Sequence, residues 1–93
     1  MRESILQSGR ECWFCGRVDG LERHHIYGGN PNRRISETNG FVVWLCHDHH
    51  NEPPYGVHFN REMSLALKRE CQAAFEKTHS REEFMRLIGR NYL

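Results

Sequence analysis

The sequence predicts an α+β fold in which two short strands and several helices surround bound metal. Three observations support this prediction. Cysteine and histidine pairs at metal-ligand spacing recur from Cys12 to His58, two runs typical of strands lie among them, and helical periodicity takes over after Asn60. A chain of 93 residues buries only a small core, which a structural metal would supplement. We therefore expect one metal-dependent domain spanning residues 1–93.

The first element is an N-terminal arm, residues 1–11, expected to be a short weak helix or an arm ended by Gly9, with Ile5 and Leu6 packed on the domain. Cys12-x-x-Cys15 follows, and Gly16 supplies the unusual backbone angle that a tight metal-binding turn requires. Where thiols stay reduced, this spacing is more typical of a metal half-site than of a disulfide. It predicts a zinc knuckle.

Two strands are predicted on either side of one loop. Leu21 to Ile26 alternates well enough for a strand, and Phe41 to Leu45 is the strongest strand signal because it combines aromatic and β-branched residues after the turn pair Asn39-Gly40. The intervening stretch from Tyr27 to Ser36 is rich in glycine, asparagine and proline. We expect it to be an irregular loop.

Helices are predicted for the rest of the chain. Cys46 to Asn51 should begin a short helix, which the prolines and glycine of residues 53–56 interrupt. Apolar residues then recur at spacings of three and four, which predicts an amphipathic helix over about Arg61 to Lys77. Ser80-x-x-Glu83 is a capping box for a last helix ending at Gly89. We expect residues 61–93 to form a helical hairpin beside a metal-binding core at residues 12–60.

The ligand pairs predict a structural zinc site. Cys12 and Cys15 form one pair and Cys46-x-x-His49 the other, and together they complete a Cys3His set. His47 is an alternative fourth ligand with poorer spacing. This site would tie the N-terminal turn to the end of the second strand.

Four further histidines remain near the centre of the chain: His24, His25, His50 and His58. Adjacent residues of a strand point to opposite sides, so His24 and His25 do not easily bind one ion. A division into one metal ligand and one base is the natural interpretation. His50 directly follows the zinc ligand His49 and would face away from the zinc site.

The order Cys-x-x-Cys, His-His-Ile, a hydrophobic strand, Leu-Cys-x-x-His-His and a further histidine resembles the HNH endonucleases of the ββα-metal fold, particularly their zinc-knuckle form in phages and prophages. The resemblance covers residues 12–60. It implies a ββα-metal core in which His25 is the general base and a catalytic ion is bound by His24, His50 and His58. It also assigns Asn39 the role of the family's middle asparagine, which orients the loop behind the catalytic histidine.

The chain departs from the family pattern in three places. His49 stands where the family usually has a fourth cysteine, and it is also a sound zinc donor. His58 lies eight residues after His50, whereas the family's last ligand follows about four residues later. Phe41 occupies the usual position of the middle asparagine, so that Asn39 lies two residues early and a backbone group is the alternative.

The resemblance implies a metal-dependent enzyme that hydrolyses DNA phosphodiester bonds. The imidazole set accepts Mg²⁺, Mn²⁺, Ni²⁺ or Zn²⁺ as the catalytic ion. Arg23, Arg33 and Arg34 lie around and after the histidine doublet and are candidates to hold the DNA backbone. A non-catalytic, zinc-stabilised nucleic-acid-binding module is the alternative, and metal storage or sensing is a third function. The histidine doublet favours catalysis, because neither alternative needs a general base.

Composition adds few constraints on partners. The net charge is +1, and no basic stripe by itself indicates nucleic acid. We find no apolar run long enough to span a membrane and no recognisable leader, so we expect a cytoplasmic protein without a membrane partner, bacterial or phage-encoded if the resemblance holds.

Overall fold

Two antiparallel strands and four helices make up the computed structural model, which describes residues 2–93. Their order along the chain is β1 (Leu21–His25), α1 (Asn32–Asn39), β2 (Val42–Cys46), α2 (His47–His50), α3 (Arg61–Phe75) and α4 (Arg81–Ile88). The predicted α+β class is confirmed. Both predicted strands are present, each within one residue of its expected bounds.

The two strands pair in a register that assembles the functional part of the molecule. Leu21 lies opposite Cys46, and His25 lies opposite Val42. The start of β1 is therefore beside the end of β2, from which α2 continues without a break. Helix α2 contacts both strands. Residues of β1 and α2 that are far apart in sequence thus become neighbours.

Helix α1 corrects the expectation of an irregular loop over Tyr27–Ser36, because residues from Asn32 onward are helical. Ser36 makes the helix possible beside the core: its buried hydroxyl donates to the Tyr27 carbonyl at 2.8 Å and accepts from the Tyr27 N–H at 3.2 Å. Gly40 then ends the helix at a φ of 75°. A side chain at Gly40 would collide with the Glu3 carbonyl, so glycine is required there for space as well.

The core lies between the sheet and the later helices. An aromatic cluster forms its centre, with ring centroids 5.4 to 6.2 Å apart, and consists of Tyr27, Phe41, Phe75 and Phe84. Leu45 and Leu67 are fully buried around it. Of the four aromatic residues, two lie next to the strands and the other two lie in α3 and α4. The cluster therefore joins the helical part of the chain to the sheet.

The ends of the last two helices follow from their sequences. Asn60 caps α3 by accepting from the Met63 N–H at 3.0 Å, and the helix ends at Phe75, two residues before the predicted Lys77. The predicted capping box is confirmed, since Ser80 and Glu83 exchange hydrogen bonds at the start of α4. Helix α4 packs against α1. Among residues 2–93, no helix combines the length and apolar character needed to cross a membrane.

The N-terminal arm is not helical and lies along the edge of β2. The Ile5 N–H donates to the Gly40 carbonyl at 2.9 Å, and Gln7 accepts from the Trp44 N–H at 2.8 Å. Ile5 and Leu6 are partly buried against the core, as expected from the sequence. The arm therefore satisfies backbone groups that an edge strand would otherwise expose.

Candidate metal centres

The first centre begins in the tight turn from Cys12 to Gly16. The Cys12 N–H donates to the Arg17 carbonyl and the Gly16 N–H to the Cys12 carbonyl, both at 2.8 Å. Gly16 has a φ of 78°, a conformation that glycine adopts without strain. The Trp13 N–H donates to the Trp44 carbonyl at 2.9 Å, which fixes the turn to β2. Two thiols are thereby held next to the end of that strand.

Cys46 and His49 complete a four-ligand cluster with Cys12 and Cys15, and their donor atoms all lie within 4.8 Å of one another. The Sγ atoms of Cys15 and Cys46 are 3.7 Å apart, and His49 Nδ1 lies 3.8 Å from Cys12 Sγ and 3.2 Å from Cys46 Sγ. Tetrahedral zinc would place two sulfurs about 3.8 Å apart and sulfur and nitrogen about 3.6 Å apart. The cysteines are unpaired, and the cluster can bind a metal such as zinc, as a zinc knuckle does.

Electrostatics within this cluster favours a bound cation. Burial raises the pKa of Cys12, but backbone hydrogen bonds outweigh it and the pKa lies below its usual value. The pKa of Cys46 is raised, first by burial and then by the thiols of Cys15 and Cys12. Deprotonation of Cys12 is thus favoured, whereas deprotonation of Cys46 would add a second negative charge and is opposed. A divalent cation would relieve that opposition.

His47, the alternative fourth ligand, lies outside the cluster. Its Nδ1 is 3.2 Å from a carboxylate oxygen of Glu22, and its Nε2 is 2.9 Å from one of Glu52. These contacts raise the pKa of His47, the hydrogen bond with Glu22 being the largest cause. The histidine two residues later, His49, occupies the ligand position instead.

The second centre consists of His24, His50 and His58, whose nitrogens also lie within 4.8 Å of one another. The Nε2 atoms of His50 and His58 are 3.0 Å apart, and the His24 ring centroid is 5.2 Å from each of the other two. Two imidazole nitrogens bound to one ion would be about 2.9 to 3.4 Å apart. The distance between His50 and His58 falls in this range, and His24 lies within 4.8 Å of both, so the three side chains could hold a single ion.

The segment after α2 explains how His58 reaches this centre despite its distance along the chain. The segment folds back so that the Val57 N–H donates to the His49 carbonyl at 2.9 Å and the His58 N–H to the His50 carbonyl at 3.3 Å. Gly56 lies at the closest point, where a Cβ atom would be 2.6 Å from the Glu52 carbonyl oxygen. Only glycine fits there, and the eight-residue spacing is accommodated by this turn.

Burial lowers the pKa of two histidines of the second centre, His24 and His58, and so favours their neutral form. His24 is only 6% exposed, and burial, followed by repulsion from His50 and His58, lowers its pKa to about 3. Burial and then His50 also lower the pKa of His58. A neutral imidazole has the lone pair that a metal needs, whereas an imidazolium has none. His24 and His58 are thus favoured in the form that can bind metal.

Glu22 orients the second centre, although the sequence analysis did not single it out. One carboxylate oxygen lies 2.8 Å from His50 Nδ1 and 3.0 Å from the Asn51 amide nitrogen that donates to it. Nδ1 of His50 therefore carries the hydrogen, and Nε2 is free to bind metal. The strand period offers a signal for this role, because Glu22 and His24 lie two residues apart on the same face of β1.

His25 lies on the other face of β1 and takes no part in either cluster. Its Nε2 is 3.1 Å from Glu37 Oε1. Arg23 holds the same carboxylate with two hydrogen bonds, of 3.0 and 2.6 Å, and this is the main reason why the pKa of Glu37 falls to about 2. A permanent carboxylate beside Nε2 favours the tautomer with hydrogen on Nε2, which leaves the lone pair on Nδ1.

Asn39, to which the resemblance assigns the role of the middle asparagine, forms its side-chain hydrogen bond inside α1 and none with His25. Its amide donates to the Ile35 carbonyl at 2.9 Å, within α1. Glu37, one half-turn earlier in the same helix, is the side chain that reaches His25. Because the first half of α1 was expected to be an irregular loop, Glu37 could not be placed next to the strand from the sequence.

The three candidate arginines have different surroundings. Arg23 is paired with Glu37 and also donates to the Arg2 carbonyl at 2.6 Å, so its charge is already compensated. Arg33 and Arg34 are exposed and line a cavity of about 720 Å³ together with His25 and Glu37. These two arginines therefore remain available to an anionic ligand that approaches His25.

No protein-family model, curated protein or solved structure matches the chain. The arguments for its function therefore come from the two clusters and the side chains around them.

Proposed function

We propose that the protein is a metal-dependent endonuclease of the HNH type that hydrolyses DNA phosphodiester bonds. The observation that carries this proposal is the division of the histidine doublet. His24 joins two other imidazoles on one face of β1, while its neighbour His25 is held by a carboxylate on the other face. A ligand set beside an oriented base is what hydrolysis of a phosphodiester requires.

The three imidazoles would hold the catalytic ion. When bound there, a divalent ion supplies Lewis acidity to a non-bridging phosphate oxygen and to the leaving oxygen. Imidazole suits Ni²⁺ and Zn²⁺, whereas Mg²⁺ prefers oxygen donors. We therefore expect Ni²⁺ or Zn²⁺ to support cleavage at lower concentrations than Mg²⁺.

His25 would act as the general base. Its Nδ1 removes a proton from water as the water oxygen forms a bond to phosphorus, and the bond from phosphorus to the 3′ oxygen breaks. The 3′ oxygen then takes a proton from solvent, giving a 3′ hydroxyl and a 5′ phosphate. Glu37 holds the imidazole by Nε2 and stabilises its protonated form.

The cavity beside His25 would receive the DNA backbone. Arg33 and Arg34 line it, and their guanidinium groups match phosphate in two-pronged geometry. Arg23 would instead act through Glu37, because it is already engaged with that carboxylate. The Cys3His zinc would be structural, joining the N-terminal turn to β2 and α2 near the site.

A plasmid-nicking assay with metal add-back tests this function. Protein purified with its structural zinc and freed of loosely bound ions should leave supercoiled plasmid intact and should nick it when Mn²⁺ or Ni²⁺ is added. His79→Ala is a suitable control variant, since this exposed histidine belongs to neither cluster and should nick normally. Tight DNA binding without nicking under any divalent ion would favour the non-catalytic zinc-stabilised module instead.

A further inference from the structure

A second cavity, of about 500 Å³, lies next to His58 and has a strongly cationic lining. It is formed by the segment before α3, the first half of α3 and the C-terminal segment. We define the basic pocket by its three cations, Arg61, Lys68 and Arg90. No carboxylate lines it. The three cations lie outside residues 12–60, to which the resemblance is confined, although residues 57–60 also line the pocket.

The three cations have no anionic partner. Within residues 2–93, none of them lies within 4.0 Å of a carboxylate oxygen. Lys68 is half-buried, and its pKa is lowered by burial first and then by the charges of Arg90 and Arg61. Like charges gathered without a counter-charge oppose one another, so a bound anion would stabilise the arrangement.

The basic pocket is held in place by the core. Gln72 is fully buried, and its amide donates to Asn91 Oδ1 at 2.8 Å while its carbonyl accepts from the Tyr92 N–H at 2.7 Å. These bonds anchor the C-terminal segment on α3. The Tyr92 ring then lies 5.1 Å from the Arg90 guanidinium carbon and 5.6 Å from Lys68 Nζ. Cations placed on a fixed ring are partly ordered before any ligand binds.

We propose that the basic pocket binds a backbone phosphate of the nucleic acid, next to the phosphate that is cleaved. This inference rests on the proposed nuclease function and deepens it. His58 is a ligand of the second metal centre and also lines the pocket, so the two sites adjoin. The guanidinium groups of Arg61 and Arg90 can each donate two hydrogen bonds to a phosphate. The half-buried Lys68 adds the positive charge of its ammonium group.

The other residues of the pocket suit a nucleotide better than an isolated phosphate ion. Phe59 lines the same cavity and is 59% exposed, although its side chain is large and apolar. Aromatic side chains beside a basic groove stack with nucleic-acid bases in many binding sites. A phosphate held by the cations would thus bring its base within reach of Phe59.

The test compares Lys68→Gln and Arg90→Gln with Arg69→Gln, which removes one charge from an exposed position of α3 that does not line the pocket. Binding of a fluorescent DNA duplex is measured by anisotropy over a range of salt concentrations, with structural zinc retained and no other metal added. Zinc content and unfolding temperature establish that each variant is folded. Lys68→Gln leaves the buried contact at this position in place, because the Tyr27 hydroxyl donates to the backbone carbonyl of Lys68, at 2.7 Å.

Loss of one phosphate contact should weaken binding about fivefold at 0.15 M salt and reduce the slope of log K against log salt by about 0.9. We expect this for both pocket variants and no change for Arg69→Gln. If Lys68→Gln and Arg90→Gln bind DNA with the affinity and salt slope of the wild type, the inference is overturned. The proposed function is unaffected by that result as long as the wild-type protein nicks plasmid. Failure of the wild-type protein to bind DNA at all would overturn both.

Titration with inorganic phosphate, followed by the NMR shifts of the Lys68 and Arg90 amides, separates the sources of the phosphate. Shifts in the wild-type protein that disappear in Lys68→Gln, together with weaker DNA binding by the variants, support the inference. If the wild-type protein binds inorganic phosphate but the variants bind DNA as tightly as the wild type, the inference that the pocket binds a polynucleotide is overturned. The pocket would then bind a small phosphorylated molecule.

Discussion

The side chains of strand β1 point alternately to its two faces, and the two faces have different neighbours. Glu22 and His24 point toward the second metal centre, and Arg23 and His25 point toward Glu37. The alternation of side chains in a strand is therefore enough to separate the candidate metal ligand His24 from the proposed base His25. Glu37 has no counterpart among the residues predicted from the sequence, and it is the best single test of how His25 is oriented.

Glu37→Gln should lower kcat about 10-fold to 100-fold, the usual effect of removing a group that orients a catalytic histidine. The neutral amide stabilises the protonated imidazole less, while DNA binding and ion binding depend on other residues, so KM and manganese affinity should change little. Steady-state nicking rates and calorimetry provide these values. Glu70→Gln, on the exposed surface of α3, is the control, and equal kcat in the two variants would exclude a positioning role.

At the scale of elements, the turn after α2 determines whether His58 reaches the second centre. This turn depends on Gly56, whose backbone lies against the Glu52 and His50 carbonyls. No side chain of the turn belongs to the Cys3His cluster, and the turn contacts His49 through the backbone carbonyl of that residue. The two centres can therefore be disturbed separately.

Gly56→Ala should weaken binding of the catalytic ion by about 10-fold or more, because the added Cβ displaces the segment that carries His58. Zinc content should remain that of the wild type. Gly28→Ala is the matched control, since a Cβ there meets no atom within 4 Å and its φ is not positive. Unchanged manganese affinity in Gly56→Ala, measured by calorimetry, would show that the turn tolerates a side chain.

The elements also show what could be predicted from the sequence. The Cys3His cluster and both strands were predictable because their signals are local: cysteine and histidine pairs at fixed spacing, and β-branched runs. Helix α1 was not predictable in this way. It contacts the core mainly through Ile35 and Ser36, and these two neighbouring residues do not form the repeating apolar pattern of an amphipathic helix. Glu22 and Glu37 become neighbours of their histidines only through strand register and the position of α1, which no short motif encodes.

For the whole molecule, zinc at the Cys3His cluster should be a condition of folding. It would link the N-terminal turn, β2 and α2, and a structural zinc contributes on the order of 10 kcal/mol, as much as the whole stability of a small domain. Cys71 offers a matched comparison, because it is fully buried in the core and burial raises the pKa of its thiol to about 12.

Cys46→Ala should lose the zinc and the cooperative unfolding transition, whereas Cys71→Ala should keep a full equivalent of zinc and lose about 1 to 3 kcal/mol through a small cavity. Metal analysis and thermal unfolding of both variants provide the comparison. A folded Cys46→Ala protein with wild-type zinc content would contradict the structural role of the cluster.

The central claim, that His24 binds the catalytic ion while His25 acts as the base, is tested most directly by measuring plasmid nicking and manganese binding in His25→Ala and His24→Ala. His25→Ala should nick about 100-fold to 10,000-fold more slowly and bind manganese like the wild type, while His24→Ala should lose manganese affinity itself. Normal nicking by His25→Ala, or equal loss of manganese binding in both variants, would contradict the division of roles.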